Sequence, residues 1–450
     1  MLGDELLPAA DHVLPRVIVK NGIVQTSLLI IANCAGAGIL SLPKAINQSG
    51  LMAGSVLVVC AAILSAYTAD ILGRCYSLTT PRKKIVEGAD AYAPEEPCES
   101  SYFARSPYAA IGWKAAGAVG AAAVTISQVL TQFCVLILFL LISGINLNKL
   151  IPQRSSLFFS LVGAGALAPL MLLRPGHVWG TAILAILASV ILVAVVVILC
   201  ATDAPHDPYA PPPAVTFSTF GSAFGVILFG FGGHAILPAL QATMHNPTPA
   251  RFRKAIVGSF AACTSMYLAS SIGSVLTLGG AVGSDILTNF SGPINTFGLI
   301  AGTRLHLIAP DCTCSHGRPS TLHTFGLIAV TVHLLFAAVT VHIPLGQIMD
   351  HYAGAADYSA RQVAIRALTM GCVALMIWAI GTHFFCVMGL VGGTCNNAMI
   401  FIFPPWFYLK LMPPAERTPA AIARMVVIMA LGTAGMASAL IGAFDSCRTA

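Results

Sequence analysis

Charged side chains are scarce in this chain of 450 residues: 9% are Asp, Glu, Lys or Arg, against roughly 25% in an average soluble domain. So few charges cannot coat a soluble fold, and 57% of the residues are hydrophobic with a mean hydropathy of +0.84. Acids are rarest where they would matter most. None of the 17 Asp and Glu residues falls deep inside an apolar run, and Asp70 comes nearest. That excludes a carboxylate proton relay of the usual intramembrane kind. There is no HExxH motif, no GxSxG elbow and no buried acid pair, so the chain is not expected to be an enzyme. A basic segment leading into a short apolar core is also missing at the start. Residues 1–15 carry Asp4, Glu5 and Asp11 instead, so no cleavable signal is expected and the first apolar run is retained.

What is present is a succession of long apolar runs. A bilayer core about 30 Å thick takes about 20 apolar helical residues per crossing. Eleven candidate spans follow, at 21–46, 51–74, 115–145, 156–173, 178–201, 218–242, 255–281, 322–349, 364–383, 385–410 and 420–443. The fold class expected is an all-α polytopic membrane protein. The net charge of +6 does not indicate nucleic acid, because the basic residues sit in the joints between spans, where they set topology. With residues 1–20 in the cytosol, strict alternation puts all of the 23 Lys and Arg on the cytosolic side except Lys44, Lys149, Arg154, Arg304, Arg318 and Arg448. The carboxyl terminus then lies outside or in a lumen.

The 13 cysteines do not read as a disulfide framework: Cys34, Cys60, Cys134, Cys200, Cys263, Cys372 and Cys386 fall within or at the edges of spans, where they act as small hydrophobes. Cys312-Thr313-Cys314 with His316 matches no standard zinc spacing. Neither metal nor cofactor is expected. Residues 75–114, with Arg82-Lys83-Lys84 and Glu95, Glu96 and Glu99, read as a solvated cytosolic loop. Residues 202–215 read as a Pro-rich spacer outside. In the non-cytosolic loop 282–321, Thr296-Phe297-Gly298-Leu299-Ile300-Ala301 recurs as Thr324-Phe325-Gly326-Leu327-Ile328-Ala329. A near-exact hexapeptide repeat of this kind suggests that 296–323 is a dispensable insertion.

Two spans carry helix-breaking residues at their centres. In the first, Asn33-Cys34-Ala35-Gly36-Ala37-Gly38 precedes Pro43; in the sixth, Phe229-Gly230-Phe231-Gly232-Gly233-His234 precedes Pro238. In hydrocarbon an unpaired backbone group costs several kcal/mol, so a helix breaks at bilayer depth only where protein, water or a polar ligand satisfies it. Paired breaks in corresponding positions of two halves point to the binding site of an inverted-repeat transporter.

Together these motifs resemble the amino acid/auxin permease family, within the amino acid, polyamine and organocation superfamily, over nearly the whole chain. "NCAGAGILSLPKAINQSG" is similar to the family's first span, and "FGFGGHAILPALQATMHNP" to its sixth, with Gly233-His234, Pro238, Met244 and Pro247 matching the vacuolar branch best. "VGSDILTNF" and "GLVGGTCNNAMIFIFPPWFYLKL" resemble the loop after the seventh span and the tenth span. The resemblance implies a transporter domain over 21–443: a 5+5 inverted repeat of leucine-transporter type (first repeat about 21–201, second about 218–410) with an extra helix at 420–443. It also implies secondary active transport of amino acids by alternating access in a vacuolar or other endomembrane, with the plasma membrane as the alternative. An uncoupled uniporter or channel, or an amino-acid sensor, stays open. Asn33 stands three places before Gly36, as in proton-coupled relatives, and Ala32 occupies the place of the asparagine usual in sodium-coupled ones. Gln347-Ile348-Met349-Asp350 replaces the family's basic ending of the eighth span.

An amino acid carries a carboxylate and an ammonium. The half-helix after Gly36 offers free N–H groups and a positive dipole end to the first. Carbonyls near Ala35 and Phe231 are placed to accept from the second. The expected substrate residues are Ala35, Gly36, Ala37, Gly38, Phe231, Gly232 and Gly233, with Phe231 as a closing ring. Gln128 and Gln132, one turn apart on the third span, share a face toward the cavity. For coupling to a proton, or less readily to sodium, the candidates are Asn33, His234 and Thr340, with His333 and His342 as further histidines in the eighth span.

Overall fold

The computed structural model describes residues 21–80, 106–170, 179–202, 209–290, 321–355, 358–381 and 383–449. Its elements are helices throughout. The first span divides into α1 (Ile23–Cys34) and α2 (Ala37–Ser49), followed by α3 (Leu51–Thr79), α4 (Pro107–Leu150), α5 (Ser156–Leu170) and α6 (Trp179–Thr202). The sixth span is α7 (Phe217–Gly230), a 3-10 turn at Gly233–Ala235 and α8 (Leu237–Ala242). Then come α9 (Pro249–Leu278), α10 (Thr321–Tyr352), α11 (Ala360–Ile380), α12 (Phe384–Val391), α13 (Phe403–Leu411) and α14 (Pro419–Thr449). Between α12 and α13 the tenth span is π-helical over Gly392–Asn396 and Ala398–Ile402. Pro404 and Pro405 follow directly, and they lack the N–H groups an α-helical ladder would need there.

Among the described residues nine helices are long and apolar enough to cross a bilayer, and α1 with α2 makes a tenth, bent by 59°. Of the eleven spans expected, the remaining one is α5, an apolar helix of 15 residues.

Local chemistry sets the ends. Thr216, Thr248 and Ser359 each accept a hydrogen bond from the N–H three residues on, which caps α7, α9 and α11. Gly117, at φ +62°, turns the chain inside α4 and splits it into a short leading helix and the third span proper. The loop expected over 75–114 is therefore shorter, since α3 runs to Thr79 and α4 starts at Pro107. The charged cluster at 82–99 lies outside the described residues, as do Cys312, Cys314, His316 and the first copy of the hexapeptide. The second copy lies in α10, and so do residues 321–323 of the supposed insertion. The described part of the spacer, from residue 209 on, is pinned at Ala210, whose N–H donates to Leu278 O at 3.3 Å and whose carbonyl accepts from Gly280 N–H at 2.7 Å.

Spans one and six run antiparallel. Asn21 exchanges backbone hydrogen bonds with Thr243 and His245 at 2.9 Å, so the start of one lies beside the end of the other. Near this end, Arg253 holds Asp70 through two bonds of 2.9 and 3.0 Å, Arg74 adds a third at 3.2 Å, and Asp350 pairs with Arg366. The acidic residue at the end of span eight is thus neutralised by span nine. At the opposite end Lys149 binds Asp285 at 2.9 Å and Lys44 binds the Ser284 hydroxyl at 2.9 Å.

One cysteine assignment is corrected. Cys386, expected to be a small hydrophobe, forms a disulfide with Cys447, tying α12 to α14 across 61 residues. The sequence hides this because neither residue belongs to a spaced set, and only packing of the last helix brings them together.

Candidate functional site

Both predicted breaks are present, and they meet. Helix α1 stops at Cys34; Ala35 and Gly36 leave the helical conformation, and α2 restarts at Ala37 with no side-chain cap. In span six the chain unwinds from Phe231 to Ile236. The N–H groups of a first helical turn have no intrahelical acceptor, so Ala37 and Gly38 bring such donors to the centre of the bundle. Ile39 N–H alone closes back, on Gly36 O at 3.2 Å.

Side chains from neighbouring helices satisfy much of the interrupted backbone. The Tyr267 hydroxyl of α9 lies 2.7 Å from Cys34 O and 2.6 Å from Gly230 O, so one phenolic proton is shared between carbonyls of both breaks. The Ser189 hydroxyl of α6 reaches Ala35 O at 3.0 Å. Gln128 Nε2 donates to Ala235 O at 2.6 Å, and Asn396 Nδ2 to Leu228 O at 2.9 Å.

Between the breaks lies a cavity of about 30 Å³, room for about two waters. Asn33, Cys34 and Ala37 line it from the first break, and Phe229, Gly232, Ala235 and Ile236 from the second. Thr131, Gln132, Val135 and Phe139 of α4, Val341 of α10 and Asn396 complete the wall, which carries no Asp, Glu, Lys or Arg. Several buried polar atoms here have no hydrogen-bond partner: Thr131 Oγ1, both amide atoms of Gln132, and Asn396 Oδ1. Buried polar groups are normally paired, and leaving one unpaired costs about 1–3 kcal/mol. Their concentration around one cavity marks it as a place for a polar ligand.

The glycines leave room for close neighbours, a backbone at Gly38 and side chains at Gly36, Gly232 and Gly233. A Cβ on Gly36 would stand 3.0 Å from both His333 Nε2 and Phe139 Cζ, and one on Gly38 3.3 Å from the Gly230 Cα. One on Gly232 would collide with the Asn396 amide, and one on Gly233 would lie 2.9 Å from Cys34 Sγ.

The candidate residues are placed unequally. Asn33, Ala37, Gly232 and Gln132 line the cavity. Ala35, Gly36, Gly38 and Gly233 shape the backbone beside it. Phe231 does not close over it: the ring is fully buried, stacked on Phe260 at 5.9 Å and edge-on to Tyr267 at 5.3 Å. Its carbonyl already accepts from Gly233 N–H at 2.8 Å. Gln128 supports the second break rather than facing the void. His234 is buried behind that break, its Nε2 3.1 Å from Thr68 Oγ1 and its ring against Phe260. The side chains of Thr340 and His342 lie outside the described residues. Sequence reasoning missed Tyr267 and Ser189, because a hydroxyl on a distant helix carries no spacing signal, and it placed His333 only among the further histidines.

Residues 20–444 match the family described as Transmembrane amino acid transporter protein. Among curated relatives from Arabidopsis thaliana, the amino acid transporter AVT1H is 24% identical over 287 residues, 62% of this chain and 61% of its own length. AVT1D is 22% identical over 390 residues, 84% of this chain and 61% of its length. For AVT1C the figures are 22% over 425 residues, 91% and 66%. The chain thus spans about three fifths to two thirds of the length of these relatives. With both broken spans inside a family match that covers most of its length, the chain belongs to the transmembrane amino acid transporter family.

Proposed function

We propose that this protein moves amino acids across an endomembrane by alternating access, coupled to protons, with one bundle of helices rocking against a scaffold around the paired breaks. The observation that carries this reading is the small central cavity, walled by both breaks and rimmed by unpaired polar atoms.

The first-turn N–H groups of Ala37 and Gly38 face the substrate carboxylate at the positive end of α2. The break carbonyls of Ala35, Gly230 and Phe231 already accept one hydrogen bond each, and that of Cys34 accepts two, from Tyr267 and from Gly36 N–H. The ammonium falls to Asn396 Oδ1, Thr131 Oγ1 and Gln132 Oε1, the cavity acceptors with no hydrogen-bond partner. With no charged side chain in the wall, the site fits a neutral amino acid, its side chain against Phe139, Phe229, Ile236 and Val341.

A free amino acid does not fit in about 30 Å³, so the walls must part for binding, as alternating access requires. The Asp70–Arg253 pair at one end and Lys149–Asp285 at the other are natural latches for the two openings. The Cys386–Cys447 disulfide lies at the Lys149 end, and disulfides persist in oxidising compartments. It supports a lumenal or external position for that end, in agreement with the distribution of basic residues.

The test is uptake of labelled alanine, leucine, glutamine, lysine and glutamate into proteoliposomes, with proton and sodium gradients imposed separately. Accumulation of the neutral substrates under the proton gradient alone is expected. Absence of amino acid movement under every gradient and in counterflow would refute transport, and accumulation only with sodium would refute the coupling ion.

A further inference from the structure

His333 is a buried polar group that the proposed substrate site does not use. It sits at mid-depth on α10, 1% exposed, at the junction of α10, α6 and the first break. Its Nδ1 lies 2.8 Å from Ala185 O and 2.7 Å from Ser189 Oγ. A carbonyl only accepts, so Nδ1 carries a hydrogen, and the Ser189 oxygen is free to accept from it while its own proton goes to Ala35 O or Ala185 O. Nε2 is then a bare lone pair, and it has no hydrogen-bond partner.

That lone pair is directed at the break. It lies 3.0 Å from where a Cβ on Gly36 would stand, with the Phe139 ring edge-on at 6.4 Å between the imidazole and the cavity. Ser189 therefore connects two things, the Ala35 carbonyl at the negative end of α1 and the imidazole. Among the described side chains, the titratable groups of the helices packed here are engaged with other partners. Cys34 contacts Cys263, Cys134 lies beside Cys395, Lys149 holds Asp285, Cys200 meets Ser274, His323 meets Leu287 O and Asp350 holds Arg366.

We propose that His333, braced by Ser189 against the first break, is the group that takes up and releases the transported proton. The step is a simple one: the Nε2 lone pair binds a proton from water on one side, giving an imidazolium, and returns it to water on the other. Burial keeps Nε2 from water while α1 and α2 pack against Phe139 and His333. Proton exchange therefore requires the same parting of the first break that admits substrate, and this is what links the two movements. Substitution at Ser189 removes an acceptor of Nδ1–H and makes the charged ring harder to form.

The inference rests on the proton-coupled reading, and the experiment separates the two. Wild type, His333→Gln and Ser189→Ala are reconstituted, and uptake of labelled alanine, leucine and glutamine is measured under a pH gradient and in counterflow. In H333Q the ratio of gradient-driven accumulation to counterflow exchange is expected to fall about tenfold or more. In S189A the midpoint of the pH profile is expected to move to lower pH by about half a unit. A merely structural role would lower accumulation and exchange together and leave the midpoint in place. An H333Q variant that keeps the wild-type ratio overturns the proposal. If H333Q does not reach the membrane, S189A decides, and an unmoved midpoint overturns it. A wild type that exchanges substrate yet ignores the pH gradient overturns proton coupling itself.

Discussion

The first and second breaks occupy equivalent places in spans one and six, yet the first bends its span by 59° while the second unwinds over about a turn and leaves its span passing as one crossing. Their surroundings differ accordingly. Around the second break the closing groups are the amides of Gln128 and Asn396, while His234 sits behind it with Nε2 on Thr68 Oγ1 and Nδ1 unpaired. Beside the first are Ser189 and an imidazole with one nitrogen unpaired. One phenol, Tyr267, is common to both. The contrast suggests a division of labour, with the second break shaping the substrate and the first carrying the movement and the proton.

The contrast has measurable consequences. The largest is steric. Gly232→Val drives a branched side chain into Asn396 and is expected to lower uptake by about 100-fold or more, as misplacement of positioning groups does. Gly36→Ala meets its neighbours at 3.0 Å and should cost only about tenfold. Equal effects at the two glycines would erase the distinction. Next is Tyr267→Phe, which leaves carbonyls of both breaks without their donor. Thermal unfolding in detergent should show a loss of about 1–3 kcal/mol, and a neutral result would mean that the phenol does not join the breaks. The smallest effect separates their supports. Gln128→Leu removes the donor to Ala235 O and should destabilise by about 1 kcal/mol. Its pH profile should keep the wild-type midpoint, whereas that of Ser189→Ala moves.

Spans, breaks and their pairing could be read from the chain, because hydropathy and Gly/Pro interruption are local signals that need no partner. Of the residues lining the cavity, Asn33, Ala37 and Gly232 stand in the broken motifs, and Gln132 is marked by its one-turn spacing from Gln128. What escaped depends on contacts between distant helices. Tyr267 lies 233 residues from the carbonyl it holds at Cys34, and Ser189 lies 144 from His333. Nothing in either local sequence announces the match. Phe231 was read as a gate because aromatic residues beside breaks can point either way, and only the Phe260 stack reveals which. His234, inside a motif, drew more attention than His333; each has one ring nitrogen without a partner, and that of His333 lies 3.0 Å from the Cβ position of Gly36. The Cys386–Cys447 pair was likewise beyond reach until the last helix was placed.

The claim on which the rest depends is that substrate sits between the two breaks, and Cys34 reports on that place directly because its side chain lines the cavity. In a variant retaining only Cys34, exposed Cys60 and the disulfide pair, the rate of alkylation by a small maleimide can be followed at both thiols. A transported amino acid is expected to slow reaction at Cys34 severalfold and leave Cys60 unchanged. Alkylation of Cys34 at the same rate with and without a saturating transported substrate would place the binding site elsewhere.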